Sequence, residues 1–215
     1  MIVLPSRARP HNFRRLISAC RETGTTTSAY VRLDEDDATL NEYLIAEKPS
    51  NWIIVVGERL PLSGVYNEVY RSLPDAAYWI FIADDVVPLT HEWDRKLIEA
   101  AGTDGMAVPS GGHEDYAGAP HFALGGDLAR SMGWLALPGL NRLYIDTVWW
   151  EIAEAKGVLR HAPDIVLDHR HFSNGKALMD STYRKPLKAE DKAIYETWKQ
   201  RGYTKLKGET HGNPT

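Results

Sequence analysis

Apolar and polar positions alternate in blocks through the first half of the chain, and the blocks change period as they go. Ile2 to Pro5 is a short apolar run followed by a turn, Ser6 to Pro10. Phe13, Leu16, Ile17 and Cys20 then recur at helical spacing, which predicts a helix from about Asn12 to Glu22 with Gly24 as its stop. Ala29 to Leu33 is a second strand, ending in the acidic run Asp34-Glu35-Asp36-Asp37, and Leu40, Tyr43 and Leu44 mark the next helix. Trp52 to Val56 is expected as a third, fully buried strand closed by Gly57. Tyr66, Val69, Tyr70 and Leu73 mark a third helix, and Ala77 to Ala83 a fourth strand that ends at Asp84-Asp85. A helix over Trp93 to Ala101 and a strand over Met106 to Pro109 extend the pattern.

Strands and helices taking turns in this way predict an α/β fold, a mostly parallel sheet covered on both faces. Such sheets bind ligands beyond the carboxyl ends of their strands. Ser6, Arg7 and Arg9 fall there after the first strand, Asp34 and Asp36 after the second, Asp84 and Asp85 after the fourth. The first strand is not followed by Gly-x-Gly-x-x-Gly, which speaks against a dinucleotide site, and there is no Walker sequence.

The second half is less regular. Gly111 to Gly118 reads as a mobile loop, Asp127 to Met132 as a short helix, and Pro138-Gly139 as a turn. Asp146 is expected to cap a helix running to about Lys156. Ile165 to His171 reads as a strand and Glu190 to Arg201 as a last helix, with residues 208–215 expected to be disordered.

Composition narrows the class. The chain has 215 residues, 43% hydrophobic and 25% charged, enough for one domain with an extension. No apolar run approaches a membrane span, and Arg7, Arg9, Arg14 and Arg15 interrupt any signal peptide. The single Cys20 reads as a packed thiol, which fits a cytoplasmic protein. A net charge of −4 argues against coating nucleic acid through bulk charge. The charge is uneven, however. Residues 174–208 carry nine Lys or Arg against four Asp or Glu, a basic tail that could meet a polyanion or simply be a solvated face.

Three clusters carry candidate chemistry. Asp84 and Asp85, adjacent at a buried strand end, repel each other and call for a compensating cation; oxygen ligands of this kind suit Mg²⁺ or Mn²⁺. The alternative is a helix cap. In Asp168-His169-Arg170-His171 a strand would point both histidines to one face, so one or both could meet the metal, or both could be ordinary satisfied histidines. Asp168 would face the other way. Asp146, among Tyr144, Trp149 and Trp150, could act as general base with a raised pKa, or only cap its helix. Arg7, Arg9 and Arg59 could contact a diphosphate or a base.

The order of these features resembles a family. Leu4-Pro5-Ser6-Arg7-Ala8-Arg9-Pro10, the acidic turn after strand two, Asn67 within Gly64-Val65-Tyr66-Asn67, and Phe81-Ile82-Ala83-Asp84-Asp85 look like the GT-A glycosyltransferases. The likeness is greatest to compact family-2-like members of bacteria and phages. Tyr144-Ile145-Asp146 and Val166-Leu167-Asp168-His169-Arg170-His171 match their acceptor-side and metal-histidine segments. The resemblance covers about residues 1–183, with a nucleotide-sugar half to about 110, an acceptor half from 111, and a helical extension over 184–207.

It implies a nucleoside-diphosphate-sugar donor, a UDP-sugar above others, and Mn²⁺ or Mg²⁺. Pro5, Ser6, Arg7 and Arg9 would line the nucleotide pocket, with Asp34 or Asp36 reaching the base and Asn67 and Arg59 bordering it. Asp84 would meet the ribose or the metal. Asp85 and His169, with His171 as the alternative, would hold the ion. Asp146 would deprotonate an acceptor hydroxyl in an inverting displacement. The acceptor could be a glycan, a metabolite, a protein or a hydroxylated base in phage DNA. The chain departs from the family in having adjacent aspartates rather than Asp-x-Asp. It also lacks the Gln-x-x-Arg-Trp segment of processive synthases, so one sugar per encounter is expected. A sugar nucleotidyltransferase would carry a Gly-rich loop after strand one, which is absent here. A non-catalytic binding module would have little use for Asp85, Asp146 and His169 together.

Overall fold

A computed structural model describes residues 1–111, 119–180 and 189–202. Among them, eight strands form one sheet in the order β3-β2-β1-β4-β7-β6-β8-β5. The first four are β1 (Ile2–Ser6), β2 (Ala29–Asp34), β3 (Trp52–Gly57) and β4 (Tyr78–Phe81), and they pair in parallel. Helices α1 (Pro10–Glu22), α2 (Leu40–Leu44) and α3 (Leu62–Ser72) connect them. This half follows the pattern of the sequence closely, because each strand is a β-branched or aromatic run and each helix an amphipathic one.

The other half is mixed. β5 (Val86–Pro88) and β7 (Phe122–Gly125) run antiparallel to their neighbours β8 and β4, while β6 (Met106–Ser110) pairs in parallel with β8 (Leu159–His169). β5 and β7 were not expected, being only three and four residues long. β8 begins six residues earlier than the apolar run Ile165–Leu167 suggests, since pairing with β6 carries the strand through Arg160, His161 and Ala162 before the register shifts to Val166. It also ends at His169, so His171 is not in the strand. Helices α4 (Trp93–Ala101), α5 (Gly126–Met132), α6 (Ile145–Ala155) and α7 (Ala189–Gln200) complete the fold.

Alternation along the strands feeds two cores, one on each face. Val3, Trp79 and Phe81 join α3, α6 and Trp198 of α7 on one side. Ile2, Leu4, Ile80 and Ile82 join α1 and α4 on the other, where Cys20 is buried as a free thiol. The expectation that β3 is fully buried fails. It is an edge strand, with Ile53 54% and Val56 40% exposed. A β-branched run reads the same at an edge as in the middle of a sheet. Among the described residues no helix is long and apolar enough to cross a membrane. The Gly-rich loop beyond Gly111, and residues 208–215, lie outside the described residues.

Candidate active site

Strand ends bring the sequence candidates together. The turn after β1 bends through Ala8, whose φ of 57° is left-handed; its N–H donates to Asp37 Oδ2 at 2.8 Å. Asp37 is buried and also accepts the Thr39 N–H and hydroxyl, each at 2.8 Å. An otherwise unfavourable turn is thereby fixed, and it aims Arg9 inward. Arg9 is 5% exposed, with Nη1 3.4 Å from Asp84 Oδ1 and 3.2 Å from Asp85 Oδ2. Its other edge forks onto Asp180, Nε to Oδ2 at 2.8 Å and Nη2 to Oδ1 at 3.0 Å. A planar guanidinium suits three carboxylates at once.

Asp84 accepts the Ser6 hydroxyl at 2.5 Å and the Asn12 amide at 3.4 Å. The Tyr43 hydroxyl sits 2.9 Å from Ser6 Oγ and accepts the Arg9 N–H at 2.7 Å. Burial, and then the charge of Asp85, push the Asp84 carboxyl up to about 6 against the pull of Arg9, Ser6 and Asn12. Asn12 and Tyr43 were not singled out in the sequence; they read there only as helix positions.

Asp85 is placed by register. β5 starts immediately after it and pairs Val86 with His169, so His169 Nε2 comes to 3.4 Å from Asp85 Oδ1. The Arg170 N–H donates to the Asp85 carbonyl at 2.8 Å, pinning that segment. On the other side, β7 runs antiparallel to β4 with Phe122 opposite Phe81, which puts His121 beside the end of β4. The His121 and His169 rings meet edge to face, 4.6 Å between centroids. Asp85, His121 and His169, all buried, offer ligand atoms within 4.8 Å of one another. His121 is the residue that the sequence reading missed. Its only local signal is a position just before the apolar run Phe122 to Leu124. His171 stands outside this group. Its Nδ1 accepts the Ser173 N–H at 3.3 Å and caps the short 3-10 turn Phe172–Asn174. Asp168 is held by Arg170 at 3.1 Å and Lys176 at 2.6 Å.

The acidic turn after β2 forms a second group. Arg7 bonds Asp34 at 2.9 Å and also Asp36, and Arg32 lies 3.8 Å from the other Asp34 oxygen. Arg7 holds the exposed Asp36 carboxyl below its ordinary range. Arg59 is exposed, close enough for its charge to be felt at Asp36. Pro5 is the half-buried penultimate residue of β1.

Asn67 and Asp146 stand on helices rather than at strand ends. Asn67, on α3, donates to the Ala136 carbonyl at 2.8 Å and accepts the N–H groups of Leu135 and Ala136 at 3.0 Å, fixing the chain that leads to α6. Asp146 is not the cap of α6. Tyr144, at φ 64°, takes that position, and Asp146 lies in the first turn, where its Oδ1 accepts the Thr147 N–H at 2.9 Å. Burial raises its carboxyl above the ordinary range despite that bond. Its charge is felt at Tyr66, whose ring packs edge-on against Phe81 at 4.8 Å.

Among solved structures, the chain is similar to glucosyl-3-phosphoglycerate synthase from Mycobacterium tuberculosis in complex with Mn²⁺, UDP and phosphoglyceric acid. The TM-score is 0.59 at 13% identity, over 93% of this chain and 77% of that one. A mannosyltransferase from Pyrobaculum calidifontis in complex with GDP-Man and Mn²⁺ also gives 0.59 at 13% identity, over 77% of this chain. The match spans 55% of that protein's length. A putative nucleotide-diphospho-sugar transferase from Desulfovibrio desulfuricans gives 0.53 at 11% identity, over 93% and 94% of the two chains. No protein-family model matches the sequence, and no curated protein matches it significantly. The fold is that of the GT-A nucleotide-diphospho-sugar transferases. Function is a separate question, decided by the site and not by the fold.

Proposed function

We propose that the chain is a metal-dependent glycosyltransferase that moves one sugar from a nucleoside-diphosphate sugar, a UDP-sugar first, to an acceptor hydroxyl with inversion. The observation that carries the reading is the buried approach of Asp85 Oδ1 to His169 Nε2 at 3.4 Å, with His121 alongside, at the carboxyl end of the parallel strands. A carboxylate and two imidazoles fit a divalent cation, and they fit Mn²⁺ better than Mg²⁺, which prefers oxygen ligands. When bound, the cation would neutralise charge developing on the departing diphosphate.

The chain's own residues supply the rest. Ser6 and Arg9, positioned by Asp84, Tyr43 and the turn at Ala8, line the diphosphate side together with Pro5. Asp34 and Asp36, held by Arg7, present acceptor oxygens to the N–H groups of a base, with Arg59 at the border. Asn67 shapes the same cleft through the backbone it binds at 135–136. Asp146 takes the acceptor proton, and its raised pKa makes it a better base near neutrality. A hydroxylated base in phage DNA, a glycan and a small metabolite all present such a hydroxyl, and the basic residues of the C-terminal segment favour a polyanionic acceptor.

The test is a panel of nucleotide sugars incubated with Mn²⁺ and each acceptor class and assayed for free nucleoside diphosphate, beside a second panel of nucleoside triphosphates with sugar 1-phosphates assayed for pyrophosphate. Release of nucleoside diphosphate is expected. Pyrophosphate release in the second panel instead would make the protein a sugar nucleotidyltransferase, and binding without release in either would make it a sensor.

A further inference from the structure

The carboxylate of Asp191, in the first turn of α7, is fully buried and accepts four hydrogen bonds from one short stretch of chain. Its Oδ1 takes the Asn141 N–H at 2.7 Å and the Asn141 side-chain amide at 3.0 Å. Its Oδ2 takes the N–H groups of Arg142 and Leu143, both at 2.9 Å. Burial pushes this carboxyl upward, but the backbone donors outweigh it and hold it below the ordinary range.

The stretch so gripped runs directly into Tyr144, whose left-handed φ of 64° starts α6, and Asp146 follows two residues later. α7 touches this junction again one turn further on. The Tyr195 ring stacks on Tyr144, 4.6 Å apart and within 7° of parallel. The Tyr195 hydroxyl and Lys199 Nζ then both reach Glu151 of α6, at 2.6 and 2.5 Å. Asp191, Tyr195 and Lys199 are spaced i, i+4 and i+8, so they form one stripe along α7. On the opposite flank, the Ser63 N–H of α3 donates to the Asn141 carbonyl at 3.2 Å. The stretch leading into the left-handed residue is therefore held by α3 as well as α7, support of the kind a strained position requires.

We infer that α7 is a splint for the acceptor side of the site, and that Asp191 is a positioning residue that sets the Asp146 carboxylate through residues 141–144. This rests on the reading of Asp146 as the base, but the geometry can be tested without it. The Thr147 N–H donates to Asp146 Oδ1, so its exchange with solvent reports where that carboxylate sits.

The experiment is amide hydrogen exchange on the full chain with Asp191→Asn. The isosteric amide keeps one acceptor oxygen and turns an NH₂ group toward the Arg142 and Leu143 donors. Exchange at residues 141–143, Thr147 and Val148 is expected to quicken about tenfold or more, the value of one buried hydrogen bond, while Val31 and Ile80 in the sheet are unchanged. Faster exchange at 141–143 with Thr147 and Val148 untouched would overturn the inference, leaving Asp191 a loop anchor. If the variant does not fold, Tyr195→Leu removes the stacked ring while keeping the carboxylate, and the same amides decide. Kinetics per folded molecule, counted by circular dichroism, give a second readout: kcat falls with donor KM unchanged, whereas a smaller folded fraction alone leaves the normalised kcat where it was. Wild-type protein that transfers no sugar sinks the glycosyltransferase reading alone, because the exchange result stands without it.

Discussion

Replacing His121 by alanine separates a metal site from three residues that merely happen to be close. Ligand bonds of about 2.1 Å put neighbouring donors of an octahedral ion roughly 3.0 Å apart and opposite donors roughly 4.2 Å apart. Asp85 and His169 stand at 3.4 Å, and all three candidate ligand atoms fall within 4.8 Å, so closure needs side-chain shifts of about 1 Å at most. At a Mn²⁺ concentration of one hundred times Kd, linkage stabilises the folded state by about 2.7 kcal/mol. For a chain of this length about 1 kcal/mol moves Tm by roughly 2–4 °C, so the wild-type increment is roughly 5–10 °C.

Partners that only orient a ligand cost about ten- to a hundredfold in affinity when removed, and a ligand itself costs at least as much. A tenfold loss leaves about 1.4 kcal/mol at the same Mn²⁺ concentration, which halves the increment. The alanine also opens a cavity and lowers the baseline Tm, so the quantity to compare is the difference made by metal. His11, exposed on α1, serves as the control. Differential scanning calorimetry with and without Mn²⁺ measures both. An undiminished increment in His121→Ala removes His121 from the site, and no increment in wild type removes the site.

Three further outcomes follow from other parts of the structure. Asp146→Asn should stop turnover while leaving donor affinity by calorimetry within about twofold, since general-base loss typically costs about 10²–10⁴. In the wild type, a base with a raised pKa is protonated sooner as pH falls, so the acid limb of kcat should lie above the usual carboxylate range, and a limb at or below about 4 would refute the assignment. Arg9→Ala leaves Asp84 and Asp85 buried without their shared cation and should destabilise the metal-free protein by about 3–5 kcal/mol, read by urea unfolding. Added Mn²⁺ should recover part of that loss, because it supplies the missing charge. Gly125→Ala would drive a methyl to 2.2 Å from the Thr103 carbonyl, where backbone cannot give way easily, so a loss of about 3 kcal/mol or more is expected. An unchanged unfolding midpoint would show that the β7–α5 junction yields to a methyl group without cost.

The sequence by itself determined the parallel half of this protein. Ile2 to Ser6, Ala29 to Asp34 and the amphipathic helices between them are local patterns, since a strand buried on both faces and a helix buried on one write their periods into consecutive residues. It also determined that Ser6, Arg9, Asp84 and Asp85 would share one end of the sheet, because in a parallel sheet the residues after each strand converge. Strand length and position were less legible: Val86–Pro88 is too short to carry a period, and Trp52–Gly57 reads as buried although it lies at an edge. Only the tertiary structure decided which side chains gather around Asp85. His121 joins Asp85 and His169 because Phe122 pairs with Phe81 and Val86 with His169, and antiparallel register between distant segments leaves no mark in the local sequence. The grip of Asp191 on residues 141–143 is of the same kind: fifty residues separate the carboxylate from Asn141, and nothing but packing brings them within 2.7 Å.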